Sequence, residues 1–157
     1  MTLTATGRLF GAALFLALPA MADPVLEVHL DTGVVLAGWP MPSDSEACLT
    51  WRHSVTGGRV ADCFRQSSGR LHLRRSYLHD FAAGLGEVQG RGTLVSAPDG
   101  GYWIEGIDEP VANNTLSLRI GPAAVDHQLH LNAQVLSLSQ IAPDQRARII
   151  LNLPHDD

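Results

Sequence analysis

The chain reads as an all-β protein, one antiparallel β-sandwich or barrel of about nine or ten short strands. Three observations predict this. Apolar and polar residues alternate with period two through most of the chain after residue 22, as in Val25-Leu26-Glu27-Val28-His29-Leu30 and Leu71-His72-Leu73-Arg74-Arg75. Gly, Pro, Asn and Asp interrupt these runs at short, regular intervals. No segment beyond residue 22 keeps an apolar face at spacings of three, four and seven over three turns, which a packed helix needs.

The elements follow in order. Val25 to Leu30 forms a strand, Asp31-Thr32-Gly33 a short turn, and Val34 to Trp39 the returning strand of a hairpin. Pro40, Pro42, Ser43 and Asp44 make a loop. Cys48 to Val55 reads as a strand, Thr56 to Arg59 as its turn and Val60 to Arg65 as its partner. Ser67-Ser68-Gly69 is a further turn into a strand starting at Leu71. The run Ala82 to Gly92 is crowded with Gly84, Gly86, Gly90 and Gly92 and reads as a surface loop. Strands are then expected over Gly101 to Ile107 and Leu116 to Ile120, in a hairpin of Asp126 to Leu131 with Gln134 to Leu138, and at Ile149 to Leu153.

Ahead of these strands stands a different kind of segment. Arg8 precedes an apolar run from Leu9 to Leu18, Pro19 breaks it, and Ala20-Met21-Ala22 offers the small-x-small pattern of a signal peptidase site. Residues 1–22 are therefore expected to be a cleaved export signal and residues 23–157 one periplasmic or secreted domain of a bacterial protein. The apolar run is far shorter than the roughly 20 residues that span a bilayer, so the mature chain is expected to have no transmembrane segment.

Charge narrows the partners. The chain has 11 basic and 16 acidic residues, and losing Arg8 leaves 10 against 16. An acidic balance argues against a nucleic-acid surface, which needs a basic stripe, and against docking on anionic lipid by charge alone. Every basic side chain is Arg, which excludes Schiff-base chemistry on a lysine.

Cys48 and Cys63 flank the expected hairpin. An even count in an oxidising compartment favours a disulfide. A register slip of one residue would instead put one thiol on each face, and two buried free thiols are the other outcome.

Seven histidines invite a metal reading, yet no His-x-His or Cys-x-x-Cys spacing is present. His127 and His130, three apart, belong on opposite faces of a strand. The expectation is no metal and no cofactor. Ser54 beside His53 is a poor nucleophile–base pair, because strand neighbours point to opposite faces, and the Gly-x-Ser-x-Gly elbow is missing. The glycines at 84, 86, 90 and 92 miss the dinucleotide spacing and have no helix after them.

The segment Trp51-Arg52-His53-Ser54-Val55-Thr56-Gly57-Gly58-Arg59-Val60 is unusually polar for a strand. Arg52 and Ser54 on one face could bind a carboxylate, Arg52 as a bidentate partner and Ser54 as a donor. The plainer alternative is an ion pair of Arg52 with Asp62 across the hairpin, worth about 0–1 kcal/mol if exposed.

This block, Trp51 to Gly58 with Asp62 after it, resembles the opening block of the DUF1850 family. Asp80-Phe81-Ala82-Ala83-Gly84-Leu85 resembles the second block, and Leu116 to Ile120 followed by Asp126-His127-Gln128-Leu129 resembles the closing one. The similarity runs over Val25 to Leu138. It differs from the family pattern in having Asp62 where Glu is usual, Arg75 where an acid is usual and Ala82 for Gly. The resemblance implies a small exported protein of the kind often encoded beside TAXI-type TRAP transporters. It thus implies an accessory role in solute uptake, and the leading expectation is a non-catalytic accessory or binding protein whose partner is the permease or its periplasmic receptor. Residues His53, Ser54 and Gly84 match the family blocks and Asp62 carries over as their acid, and with Arg52 they are the candidate binding residues for a partner or a small organic anion. A cell-envelope hydrolase and a freestanding small-anion-binding β-module are the alternatives.

Overall fold

A computed structural model describes residues 22–79 and 90–154. The export signal, all but its last residue, and the run carrying Gly84 lie outside the described residues.

The described chain is built of two antiparallel sheets packed as a sandwich. The first four strands are β1 (Val25–Leu30), β2 (Val35–Pro40), β3 (Glu46–Arg52) and β4 (Arg59–Ser67). Next come β5 (Arg70–Leu78), β6 (Thr93–Ser96), β7 (Tyr102–Glu105) and the two-residue β8 (Glu109–Pro110). The last four are β9 (Thr115–Arg119), β10 (Gln128–Leu131), β11 (Gln134–Ser137) and β12 (Arg146–Asn152). One sheet has the order β2-β1-β12-β9, and the other has the order β11-β10-β3-β4-β5-β7-β6 with β8 on the flank of β5. Each sheet keeps its own edge strands, so of the two expected architectures the sandwich holds and the closed barrel does not.

The described residues form twelve strands against the expected nine or ten. The surplus comes from β6 and β8, which have no buried residue and hence no apolar alternation to read. A one-turn helix, α1 (Leu138–Ile141), follows the last hairpin and starts at Leu138, the expected last residue of its second strand.

The alternation predicted from sequence is visible in the burial. In β1, Leu26, Val28 and Leu30 are buried, and in β12 Ala147, Ile149 and Leu151 are buried opposite them. The second sheet adds Phe64, Leu71, Leu73, Leu78, Ile104, Leu129 and Leu131 to the same core. Met41, Ile107, Ile120 and Leu138 close its ends and are all but inaccessible.

Two local features place the outer face of the larger sheet. Ser68 and Gly69, at φ 49° and 73°, make the two-residue turn between β4 and β5, where a turn matching the strand twist needs left-handed backbone at both positions. A bulge then interrupts the clean alternation expected from Leu71: Cys63 faces Arg75 and the next residue, Phe64, faces Leu73. Arg74 is the extra residue. It resets the parity of β5, so Leu71 and Leu73 before it and Ser76 and Leu78 after it are all buried.

Candidate functional site

The site grows from the register of β3 and β4. Ala47 and Leu49 pack into the core, which leaves Cys48, Thr50 and Arg52 on the outer face. Cys48 stands opposite Cys63, and the two form a disulfide. Of the outcomes left open by the sequence, the in-register bridge is the one realised, and a disulfide fits an oxidising, extracytoplasmic compartment.

Counting outward from the bridge fixes the other pairs. Thr50 faces Ala61, and Arg52 faces Arg59. Asp62 faces Leu49, on the other side of the sheet. The expected alternative of an Arg52–Asp62 ion pair is therefore excluded by register. Neither Arg52 nor Arg59 has an ion pair with an acid among the described residues. On the opposite flank of β3, Thr50 faces Gln128 and Cys48 faces His130.

These side chains line an open cleft of about 500 Å³. Thr50 Oγ1 and His130 Nε2 lie 3.2 Å apart, at hydrogen-bonding distance. Gln128 Nε2 donates to Asp126 Oδ1 at 2.9 Å, so the one acid that lines the cleft among the described residues already has a partner. The Arg52 backbone is pinned to the neighbouring loop by its N–H, which donates to Val125 O at 2.7 Å. That loop is itself braced. The Ser139 hydroxyl accepts from the His127 N–H and donates to Gly121 O, both at 2.8 Å, and His127 Nδ1 accepts from the Gly121 N–H at 2.9 Å. Burial lowers the pKa of His127, against an upward pull from Asp126, and so favours the neutral ring that its acceptor role requires. His127 stands just ahead of β10 with its ring 6.0 Å from that of Trp51, and His130, on β10, lines the cleft.

Strand β3 ends at Arg52, three residues earlier than expected, and residues 53–58 form the turn. The His53 N–H donates to Gly58 O, and the Gly57 N–H donates to His53 O, each at 2.8 Å. His53 Nδ1 accepts from the N–H groups of Val55 and Thr56 at 3.4 and 3.3 Å, and Thr56 Oγ1 accepts from the Gly58 N–H at 3.2 Å. The polar run is thus turn chemistry, with His53 acting on backbone donors. Ser54 is exposed in that turn and does not continue the strand face of Arg52.

Asp62 sits on the core-facing side of β4 and accepts a 2.6 Å hydrogen bond from the Ser76 hydroxyl. Desolvation raises its pKa; the Ser76 bond and the Arg91 charge pull it down, and Glu109 pushes it up. Arg91 is itself held by Glu109 in a two-pronged pair at 2.7 and 3.1 Å. The five candidate residues therefore do not form one site. Arg52 lines the cleft, His53 and Ser54 belong to the turn beside it, Asp62 lies on the opposite face, and Gly84 is outside the described residues. Among the described residues, one group of three metal-ligand types comes together, Glu46, Cys48 and Cys63, but its two sulfurs are bonded to each other.

Sequence reading missed Arg59, Thr50, Gln128 and His130. The signal for Arg59 was available: once Cys48 is set against Cys63, antiparallel counting leads to it. The residues on β10 had no such signal, because strand order is not local information.

No helix of the described residues is long and apolar enough to cross a membrane. No curated protein and no solved structure matches the chain. Residues 48–138 match the model of a domain of unknown function, DUF1850, and the chain belongs to that family. The matched stretch begins at Cys48, later than the Val25 expected from the residues. It takes in almost all of the larger sheet together with β9, and leaves β1, β2 and β12 outside.

Proposed function

We propose that this DUF1850 protein is a non-catalytic accessory or binding protein of the bacterial periplasm that serves a TAXI-type TRAP solute transporter and holds a small organic anion in passing. The observation that carries the binding part is the Arg52–Arg59 pair. Like charges directly opposite each other on a sheet are unfavourable, and here no acid of the described residues pairs with either. An anion between the two guanidiniums would remove that repulsion, and a carboxylate suits their planar, forked donors. The Thr50 hydroxyl and the Gln128 amide add neutral polar groups to the same cleft. The acid–hydroxyl pair of Asp62 and Ser76 lies on the other face, away from any ligand held there. The export signal read at residues 1–22 and the resemblance to a family often encoded beside such transporters support the location and the partner.

The test is affinity purification of the tagged full-length protein from its native host after mild in-cell cross-linking, with mass spectrometry of the eluate. A TRAP permease or its receptor is expected, with cross-links near the Arg52–Arg59 cleft and the 53–58 turn. An eluate without either, at confirmed native expression, overturns the transporter reading.

A further inference from the structure

A second depression adjoins the cleft on the same face. It shares Cys48, Thr50 and Arg59 with the cleft and extends over Ala61, Cys63, Tyr77 and Trp103 to the loop Ala97 to Gly100. Its character is different. The floor is a disulfide and a methyl group, and the far wall is aromatic, with the Tyr77 and Trp103 rings 5.3 Å apart.

That wall is built and held. The Tyr77 hydroxyl donates to Gly100 O at 2.8 Å, tying the loop down against the sheet. Gly101 permits the close approach: at φ +78° it has no Cβ, and one added there would come within 2.6 Å of both Leu78 O and the Tyr77 hydroxyl. Trp103 is steadied from the other side. The Arg75 guanidinium lies 4.4 Å from its ring centre and is itself held by Glu46 in a two-pronged pair at 2.5 and 3.2 Å. Arg75 is thereby spent on an acid, whereas Arg59, at the junction of the two hollows, has no acid partner among the described residues. Asp99, an exposed loop residue, is the acid that lines the depression.

We infer that the ligand of this face is an amphipathic monocarboxylate, its carboxylate held between Arg52 and Arg59 and its apolar or aromatic body lying over the disulfide against Tyr77 and Trp103. This rests on the anion-binding reading above and names the class of ligand. Charge complementarity sets the head: cations at one end of the groove and apolar surface at the other select a molecule with one charge and one greasy end. Size is compatible with the body: the depression, of about 260 Å³, leaves room for a short alkyl chain or a single ring.

The experiment is a titration of the full-length gene product, purified with its disulfide formed and ¹⁵N-labelled, followed by NMR. The probes are butyrate, octanoate and octylammonium. Each methylene buried in such a half-open groove tightens binding by about two- to fourfold. Octanoate should therefore bind at least about tenfold more tightly than butyrate and shift the amides of Tyr77, Gly100 and Trp103 as well as the Arg52 and Arg59 side-chain signals. Octylammonium should not bind. The exposed double substitution Arg52→Ala, Arg59→Ala should abolish octanoate binding without altering the rest of the spectrum. Equal affinity for butyrate and octanoate, with shifts confined to the arginines, would overturn the amphipathic assignment and leave the carboxylate site standing. Binding of octylammonium as tightly as octanoate would overturn the head-group assignment. No binding of either acid would overturn this inference and the anion reading together.

Discussion

Replacing both Cys48 and Cys63 by alanine should cost the domain about 3–4 kcal/mol. The bridge joins residues separated by 15 positions, and closing a loop of that size in the unfolded chain contributes about 3 kcal/mol in the loop-entropy model. Cys63 is only 1% exposed, so deleting its sulfur adds a packing loss of about 1 kcal/mol or less. Against a typical stability of about 5–15 kcal/mol this is a large share. Urea denaturation is the assay. With a slope of about 2 kcal/mol per molar, the midpoint should fall by about 1.5–2 M, and the slope should rise because the unfolded chain becomes less compact. The β3–β4 ladder still sets Arg52 against Arg59 in the variant, so affinity for a carboxylate should change by less than about threefold at temperatures where it is folded. A stability change below about 1 kcal/mol would refute the loop-closure argument. It would mean that the 53–58 turn already holds the hairpin closed in the unfolded chain.

Three further outcomes are expected. Asp62→Asn tests the buried acid. Its folded pKa is raised, so its favourable contribution is present below the unfolded value and is lost as pH rises through the folded one. The variant keeps an acceptor for Ser76, and it should be at least as stable as the parent at pH 7 and lose part of the decline in stability above about pH 4; identical pH–stability curves would contradict this. His53→Ala should cost about 0.5–1.5 kcal/mol by leaving the Val55 and Thr56 N–H groups without their imidazole acceptor. His53→Asn, whose side-chain oxygen suits such a turn, should recover most of it, and failure to do so in thermal unfolding would point to a role beyond the turn. Gly101→Ala should destabilise by at least about 1–2 kcal/mol, because it combines left-handed backbone with a clash against Leu78 O and Tyr77; it should also weaken octanoate binding more than butyrate binding in the same titration.

Much of this molecule is local and therefore readable. The period-two burial of Leu26, Val28 and Leu30 is a property of six consecutive residues, and the turn at Ser68-Gly69 is a property of two. The polar run from Trp51 to Gly58 was recognisable as unusual, but its polarity has two explanations, a strand face or a turn. Only the hydrogen bonds of His53 decide for the turn. Strands β6 and β8 left no trace because an exposed edge segment owes its conformation to its neighbour's backbone rather than to its own side chains. The single extra residue at Arg74 escaped notice for a similar reason: a bulge shows itself only against a partner strand.

The sequence by itself determined the all-β class, an export signal as an expectation, the family and the two cysteines available for a bridge. Each of these is encoded in composition, period or a contiguous motif. Tertiary structure decided that Arg52 faces Arg59 rather than Asp62, that β10 brings Gln128 and His130 to the same cleft, and that Tyr77, Trp103 and the Ala97 to Gly100 loop wall an apolar hollow next to it. Those facts depend on register and strand order. Register and strand order are set by how two whole sheets bury their apolar faces against each other, a free energy summed over residues far apart in the chain.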